Sequence, residues 1–232
     1  MLLDMSQELS LHQRRRKPLS SELDGIPWWP VLLPLDRENV ARVLLVGDSI
    51  TRRWGATDYP DFLAHWKKSF HGWNAADFGW GADSTQHILW RLQHGELDGV
   101  HPKVIVILAG TNDIAGNTGP SSLEMIEDNL KSMAQLAVAN GIRVVLASVT
   151  PAYDYPWKRG LEPAEKVVAL NSWIKDYCAR SGCVYADYFT PMSDEKHGMK
   201  EGLSRDGIHP TPAGYAIMAP IAEKAIAQAL VP

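Results

Sequence analysis

The sequence predicts an α/β protein in three layers, a sheet of about five parallel strands with helices on both faces. Three apolar runs, Arg42-Val43-Leu44-Leu45-Val46, Lys103 to Leu108 and Arg143 to Ala147, are short and rich in β-branched residues. Continuous rather than alternating apolar character marks strands covered on both faces. Between the runs lie longer stretches with apolar residues at helical spacing, and parallel strands need helical crossovers to return the chain.

Taken in order, residues 1–40 are irregular, polar at first and then interrupted by Trp28-Trp29-Pro30 and Pro34. Proline breaks both helix and sheet ladders, so this segment reads as an arm laid over a single domain spanning 41–232. The strand at 42–46 is followed by a weaker one at Asn74 to Phe78. Asp83 with Gln86 three residues on resembles a helix-capping arrangement ahead of Ile88, Leu89 and Leu92. After the strand at 103–108, Ser121 to Ala139 carries Leu123, Ile126, Leu130, Met133, Leu136 and Ala137 at helical spacing and closes on Asn140-Gly141. The strand at 143–147 leads to a helix over Pro163 to Ala179, a weaker strand over Cys183 to Asp187, and a final helix over Pro212 to Leu230.

Composition narrows the function. With 45% hydrophobic residues and no compositional break, 232 residues suit one sizeable core. The formal net charge of -4 disfavours a polyanionic partner such as nucleic acid. The basic run Arg14-Arg15-Arg16-Lys17 reads as a solvated tail. Two cysteines, Cys178 and Cys183, are too few for a disulfide framework, and both are expected as buried thiols. No stretch approaches the roughly 20 consecutive apolar residues that span a bilayer, and the N-terminus lacks an apolar signal core, so a cytoplasmic location is expected.

In open parallel sheets, ligands bind beyond the carboxyl ends of the strands, where strand order reverses. Ser49 falls just past the first strand, Gly79, Gly81 and Ala82 past the second, and Gly110-Thr111-Asn112-Asp113 past the third. Asp206 and His209 sit in the loop before the last helix. A serine hydroxyl is a weak nucleophile until a base takes its proton, and an acid can orient that base. A tight turn through Gly207 would let Asp206 reach one ring nitrogen of His209 while the other faces Ser49. Those three residues are therefore the candidate catalytic group.

The segments Gly47-Asp48-Ser49-Ile50, Gly79 to Asp83, Gly110-Thr111-Asn112-Asp113 and Asp206 to His209 resemble the four blocks of the SGNH hydrolases, the Gly-Asp-Ser-Leu esterases. The stretch from Phe78 through His94-Gly95-Glu96-Leu97 to Val106 is similar to the catalytic subunits of intracellular platelet-activating-factor acetylhydrolases. The resemblance covers roughly 41–230 and implies a flavodoxin-like five-stranded parallel sheet. It implies Ser49 as nucleophile, His209 as base and Asp206 as its orienting acid, with an oxyanion hole made of the N–H groups of Ser49 and the Gly81-Ala82 turn and the amide of Asn112. It also implies an enzyme without cofactor or metal, and a homodimer.

Two departures from the block pattern stand out. Ile50 replaces leucine at nearly constant volume. Ala82 takes the place of a glycine, keeping the N–H but adding a Cβ that restricts the backbone and narrows the mouth.

Other motifs carry less. Gly79-x-Gly81-x-x-Ser84 is a dinucleotide fingerprint without its third glycine, and neither Gly-x-Ser-x-Gly nor His-Glu-x-x-His occurs. His65, His71, His87, His94 and His101 show no metal-ligand spacing, and capping or turn hydrogen bonds account for Asp48, Asp83 and Asp113. Of nine tryptophans, Trp66, Trp90 and Trp173 read as packing residues. Trp80, beside Gly81, is expected to wall a substrate pocket whose rim comes from Tyr153, Tyr155 and Trp157. The resulting expectation is a hydrolase of acetyl and other short acyl esters working through an acyl-enzyme. A lysophospholipase or thioesterase on longer chains, a carbohydrate acetylesterase and a non-catalytic scaffold of the same fold are the competing readings.

Overall fold

The computed structural model describes residues 42–231, so the expected arm over residues 1–40 lies outside them. Strands β1 (Val43–Gly47), β2 (Ala75–Gly79), β3 (Val104–Leu108), β4 (Arg143–Ala147) and β5 (Val184–Ala186) form one parallel sheet in the order β2-β1-β3-β4-β5. That order is the flavodoxin-like one, with its switch point between β1 and β3. The weak sequence signals of β2 and β5 have a simple cause: both are edge strands, and β2 alternates half-buried and buried residues.

The connecting helices are α1 (Ser49–Gly55), α2 (Pro60–Phe70), α3 (Thr85–Gln93), α4 (Thr111–Ile114), α5 (Leu123–Ala139), α6 (Ala164–Ser181), α7 (Phe189–Met192) and α8 (Pro212–Leu230). Helices α1, α2, α4 and α7 are additions to the sequence expectation. The stripe Phe62, Leu63, Trp66 and Phe70 in α2 was present in the sequence; α4 and α7 are single turns with no room for a periodic pattern. A second correction concerns α3, whose N-cap is Ser84, with its N–H donating to His87 Nδ1, while the Asp83 carboxylate turns to Arg91.

Side chains alternate across the strands and so build two cores. Leu44, Val46, Ile105, Ile107, Val144 and Leu146 pack under α3, α5 and α6 through Ile88, Ile126, Leu130, Leu170 and Ile174. Val43, Leu45, Val104, Val106 and Val145 pack under α1, α2 and α8. The second core is aromatic: Trp54 lies 4.9 Å from both Phe70 and Tyr215, edge-on to the first and stacked on the second. Truncating a buried aromatic of this kind typically costs about 3–5 kcal/mol.

Candidate active site

The first three strands end at one edge of the sheet, and each hands the chain to a loop that carries one part of the site. After β1, Asp48 is buried and its Oδ1 accepts the Ile50 N–H at 2.8 Å, capping α1 and placing Ser49 at that helix's first residue. Burial pushes the Asp48 carboxyl up to about 7, despite the Ile50 N–H that favours its charged form. Backbones meet tightly here. A Cβ on Gly79 would stand 2.2 Å from Arg52 N, and one on Gly47 would stand 2.5 Å from Leu108 O, so glycine is required at both places.

After β2, Trp80 N–H donates to Gly47 O at 3.0 Å, and Asp83 N–H donates back to Trp80 O at 3.3 Å, closing a turn over Gly81 and Ala82. Ala82 has φ 65°, in the left-handed region. The turn therefore keeps the geometry a glycine would adopt, at a cost of about 1–2 kcal/mol for the Cβ. Asp83 is anchored by Arg91 Nε at 2.9 Å, and Arg91 also pairs with Glu96. All three are buried. After β3, Asn112 is buried with its Nδ2 donating to Asp83 O at 2.9 Å, which ties the β3 loop to the β2 loop. Asp113 is buried too, its carboxylate accepting from the Thr85 N–H and hydroxyl. Among the described residues, no protein acceptor takes the N–H of Ser49 or of Ala82.

The fourth segment comes from 160 residues away. His209 Nε2 lies 2.9 Å from Ser49 Oγ, and His209 Nδ1 lies 2.6 Å from Asp206 Oδ2. A carboxylate only accepts, so Nδ1 carries the proton and Nε2 is free to accept from the serine. Gly207, at φ 83°, makes the turn, and Asp206 Oδ1 accepts the N–H groups of Ile208 and His209 at 3.0 and 2.8 Å. Burial works against charge on Asp206, but the bonds from the His209 and Ile208 backbone and the His209 ring outweigh it and hold its carboxyl well below the usual range. Burial lowers the His209 pKa, with Asp206 opposing that shift and Arg53 adding to it.

Two residues that sequence reasoning missed hold this segment in place. Ser204 Oγ lies 2.8 Å from His209 O and 3.1 Å from Asp206 Oδ1. Tyr215, fully buried in α8, donates to Ile50 O at 2.6 Å and so fastens the helix after His209 to the helix that begins with Ser49. The aromatic side of the expectation needs one correction. Trp80, Tyr153 and Trp157 are about half exposed, whereas Tyr155 is fully buried and forms no rim. Its hydroxyl donates to Thr111 O and meets Thr111 Oγ1, both at 3.0 Å, so a polar tip finds its partners inside. Gly81 is exposed, with open space where a Cβ would be.

The sequence and the fold have counterparts among known proteins. Residues 45–217 match the model of the GDSL-like lipase/acylhydrolase family. The chain belongs to that family. It is 32% identical over 122 residues to platelet-activating factor acetylhydrolase IB subunit alpha1 from Bos taurus, an alignment covering 52% of this chain and 48% of the relative. The chain thus spans about half the length of the curated relatives it matches. Among solved structures, a GDSL-like lipase from Bacteroides thetaiotaomicron VPI-5482 superposes with a TM-score of 0.76 at 32% identity, covering 85% of this chain and 93% of that one. A putative acylhydrolase from Bacteroides fragilis NCTC 9343 gives 0.75 at 30% identity, with 82% and 88% covered. Among the described residues, no His, Cys, Asp and Glu group is arranged to hold a metal ion, and no helix is long and apolar enough to cross a membrane.

Proposed function

We propose that this protein hydrolyses carboxylic esters of short acyl groups by a serine-dependent, acyl-enzyme route. The observation that carries the reading is the unbroken chain from Ser49 Oγ through the His209 ring to Asp206, at 2.9 and 2.6 Å. Ser49 Oγ attacks the acyl carbon while its proton passes to His209 Nε2. The carbonyl oxygen becomes an oxyanion and is received by the N–H groups of Ser49 and Ala82 and by the second Nδ2 hydrogen of Asn112. Among the described residues neither backbone N–H is spent on another protein group, which leaves both to receive the oxyanion. His209 then gives its proton to the departing alkoxide, leaving an ester on Ser49. Water attacks that ester, His209 takes its proton, and the carboxylic acid leaves. Asp206 keeps its charge throughout and stabilises the imidazolium. The half-exposed Trp80 beside the hole, and the Ala82 methyl, favour a small acyl group.

Hydrolysis of p-nitrophenyl esters from acetyl to palmitate by the wild-type protein and Ser49→Ala tests this. The wild type is expected to prefer acetyl or butyryl, and the substitution is expected to cost on the order of 10⁴-fold or more in kcat. Activity unchanged in Ser49→Ala overturns the mechanism. A maximum at palmitate overturns the short-acyl assignment while leaving the triad standing.

A further inference from the structure

The Asn112 amide contributes to an oxyanion hole only if its nitrogen, not its oxygen, faces the opening. An amide is nearly symmetric in shape, so its orientation has to be enforced by the groups around it. One side is enforced by Asp83 O, a carbonyl that can only accept, which draws Asn112 Nδ2 to 2.9 Å. The other side reaches the loop after α4. Asn117 Nδ2 donates to Asn112 Oδ1 at 2.7 Å, and Asn117 Oδ1 accepts from Trp157 Nε1 at 3.0 Å. The indole N–H can only donate. It therefore dictates that Asn117 turns its oxygen outward to Trp157 and its nitrogen inward to Asn112. A donor-only group at one end and an acceptor-only group at the other leave a single polarity for the two amides between them.

We infer that Asn117 is a positioning residue for the oxyanion-hole amide, oriented in turn by the Trp157 indole. Three further contacts make the support rigid. Asn117 N–H donates to Asn112 O at 3.0 Å, Lys158 Nζ donates to Ala115 O at 2.8 Å, and the Tyr155 hydroxyl donates to Thr111 O at 3.0 Å. The segment from Tyr155 to Lys158 thus holds the loop from Thr111 to Asn117 at three points, and Trp157 supplies the one that sets amide polarity. Asn117 and Trp157 are both exposed, so removing their side-chain bonds leaves the core intact. This assignment also gives Trp157 a role that does not depend on touching substrate.

The inference rests on the proposed Ser49 mechanism and is tested so that the two fail separately. In steady-state kinetics on p-nitrophenyl acetate, Asn112→Ala is expected to lower kcat about 100- to 1,000-fold, the usual loss for one oxyanion donor. Asn117→Asp, which replaces the donor to Asn112 with an acceptor, is expected to lower kcat about 10- to 100-fold with KM within threefold of wild type. Trp157→Phe, which keeps an aromatic ring but removes the N–H, should lower kcat less, about two- to tenfold. The decisive measurement is the double mutant. If Asn117 acts through Asn112, then Asn117→Asp adds nothing to Asn112→Ala, whereas a merely structural role multiplies the two losses. Multiplied losses, or kcat within twofold of wild type for Asn117→Asp alone, overturn the relay even when Ser49→Ala is inactive. A Ser49→Ala protein with full activity overturns the underlying mechanism and the relay with it.

Discussion

Asp83 and Asp206 are aspartates of the same site in unlike surroundings. The Asp83 side chain is 9% exposed and faces Arg91, itself 5% exposed and paired a second time with Glu96. The Asp206 side chain is 38% exposed and faces the His209 ring and two backbone N–H groups. Asp83 holds shape, because its carbonyl carries Asn112 and its neighbour is Ala82. Asp206 handles charge, because its partner changes protonation during the proposed reaction. Burial suits the first task, where a fixed cluster must not rearrange. Partial exposure suits the second, since a carboxylate supported by backbone N–H groups can stay ionised beside water.

The contrast is broken most severely by substitution at Asp206. Asp206→Asn is expected to lower kcat by about 10⁴-fold, because the amide no longer selects the Nδ1–H tautomer. Its thermal midpoint should stay close to wild type, given the exposure of that side chain. A large loss of stability with little loss of rate, measured by melting and steady-state kinetics on one preparation, would reverse the roles assigned to the two aspartates.

Arg91→Met should do the opposite. It leaves the buried Asp83 and Glu96 carboxylates without their cation, a loss of about 3–5 kcal/mol that urea denaturation would register. Glu96 Oε2 has no hydrogen-bond partner among the described residues. A denaturation midpoint equal to wild type would show that Arg91 is not the support described.

The pH dependence separates the two kinds of buried group next. His209 must be neutral to act as base, and burial lowers its pKa from 6.5. Activity should therefore be flat above pH 6.5 and fall on acidification with a midpoint below that value in kcat/KM. Stability follows the same sign at this residue. The unfolded chain binds a proton below 6.5 that the folded histidine refuses, so the contribution present above 6.5 fades as pH falls. Asp48 tilts the other way. Its carboxyl is pushed up to about 7, so between 3.8 and about 7 the folded state holds a proton the unfolded chain has released, and stability declines as pH rises through that window. Comparing Asp48→Asn with wild type by urea titration from pH 4 to 7 should remove that part of the decline. Identical slopes would place Asp48 outside the titrating set.

Ala82→Gly is the smallest expected change. Relief of the left-handed backbone, about 1–2 kcal/mol, is offset in part by the greater freedom of glycine in the unfolded chain, leaving a net effect within about 1 kcal/mol. Turnover of acetyl esters should change less than tenfold while longer acyl esters gain relative to them. An equal rise across all chain lengths would mean the methyl does not narrow the mouth.

The central strands, the long helices and the placement of Ser49, Ala82 and Asn112 at strand ends were all legible in the linear chain. Each follows from local chemistry: a strand buried on both faces must be apolar, and a crossover helix must show a stripe. The Asp206-Gly207-Ile208-His209 turn was legible for the same reason, since its bonds close within three residues. Pairings between distant segments, in contrast, emerge only once the chain has folded. Tyr155 faces inward because Thr111 satisfies its hydroxyl, Trp157 meets Asn117 across a separation of 40 residues, and Tyr215 meets Ile50 across 165. No local pattern encodes those partners, because a hydrogen bond depends on where two chain segments arrive together and not on what surrounds each residue in sequence.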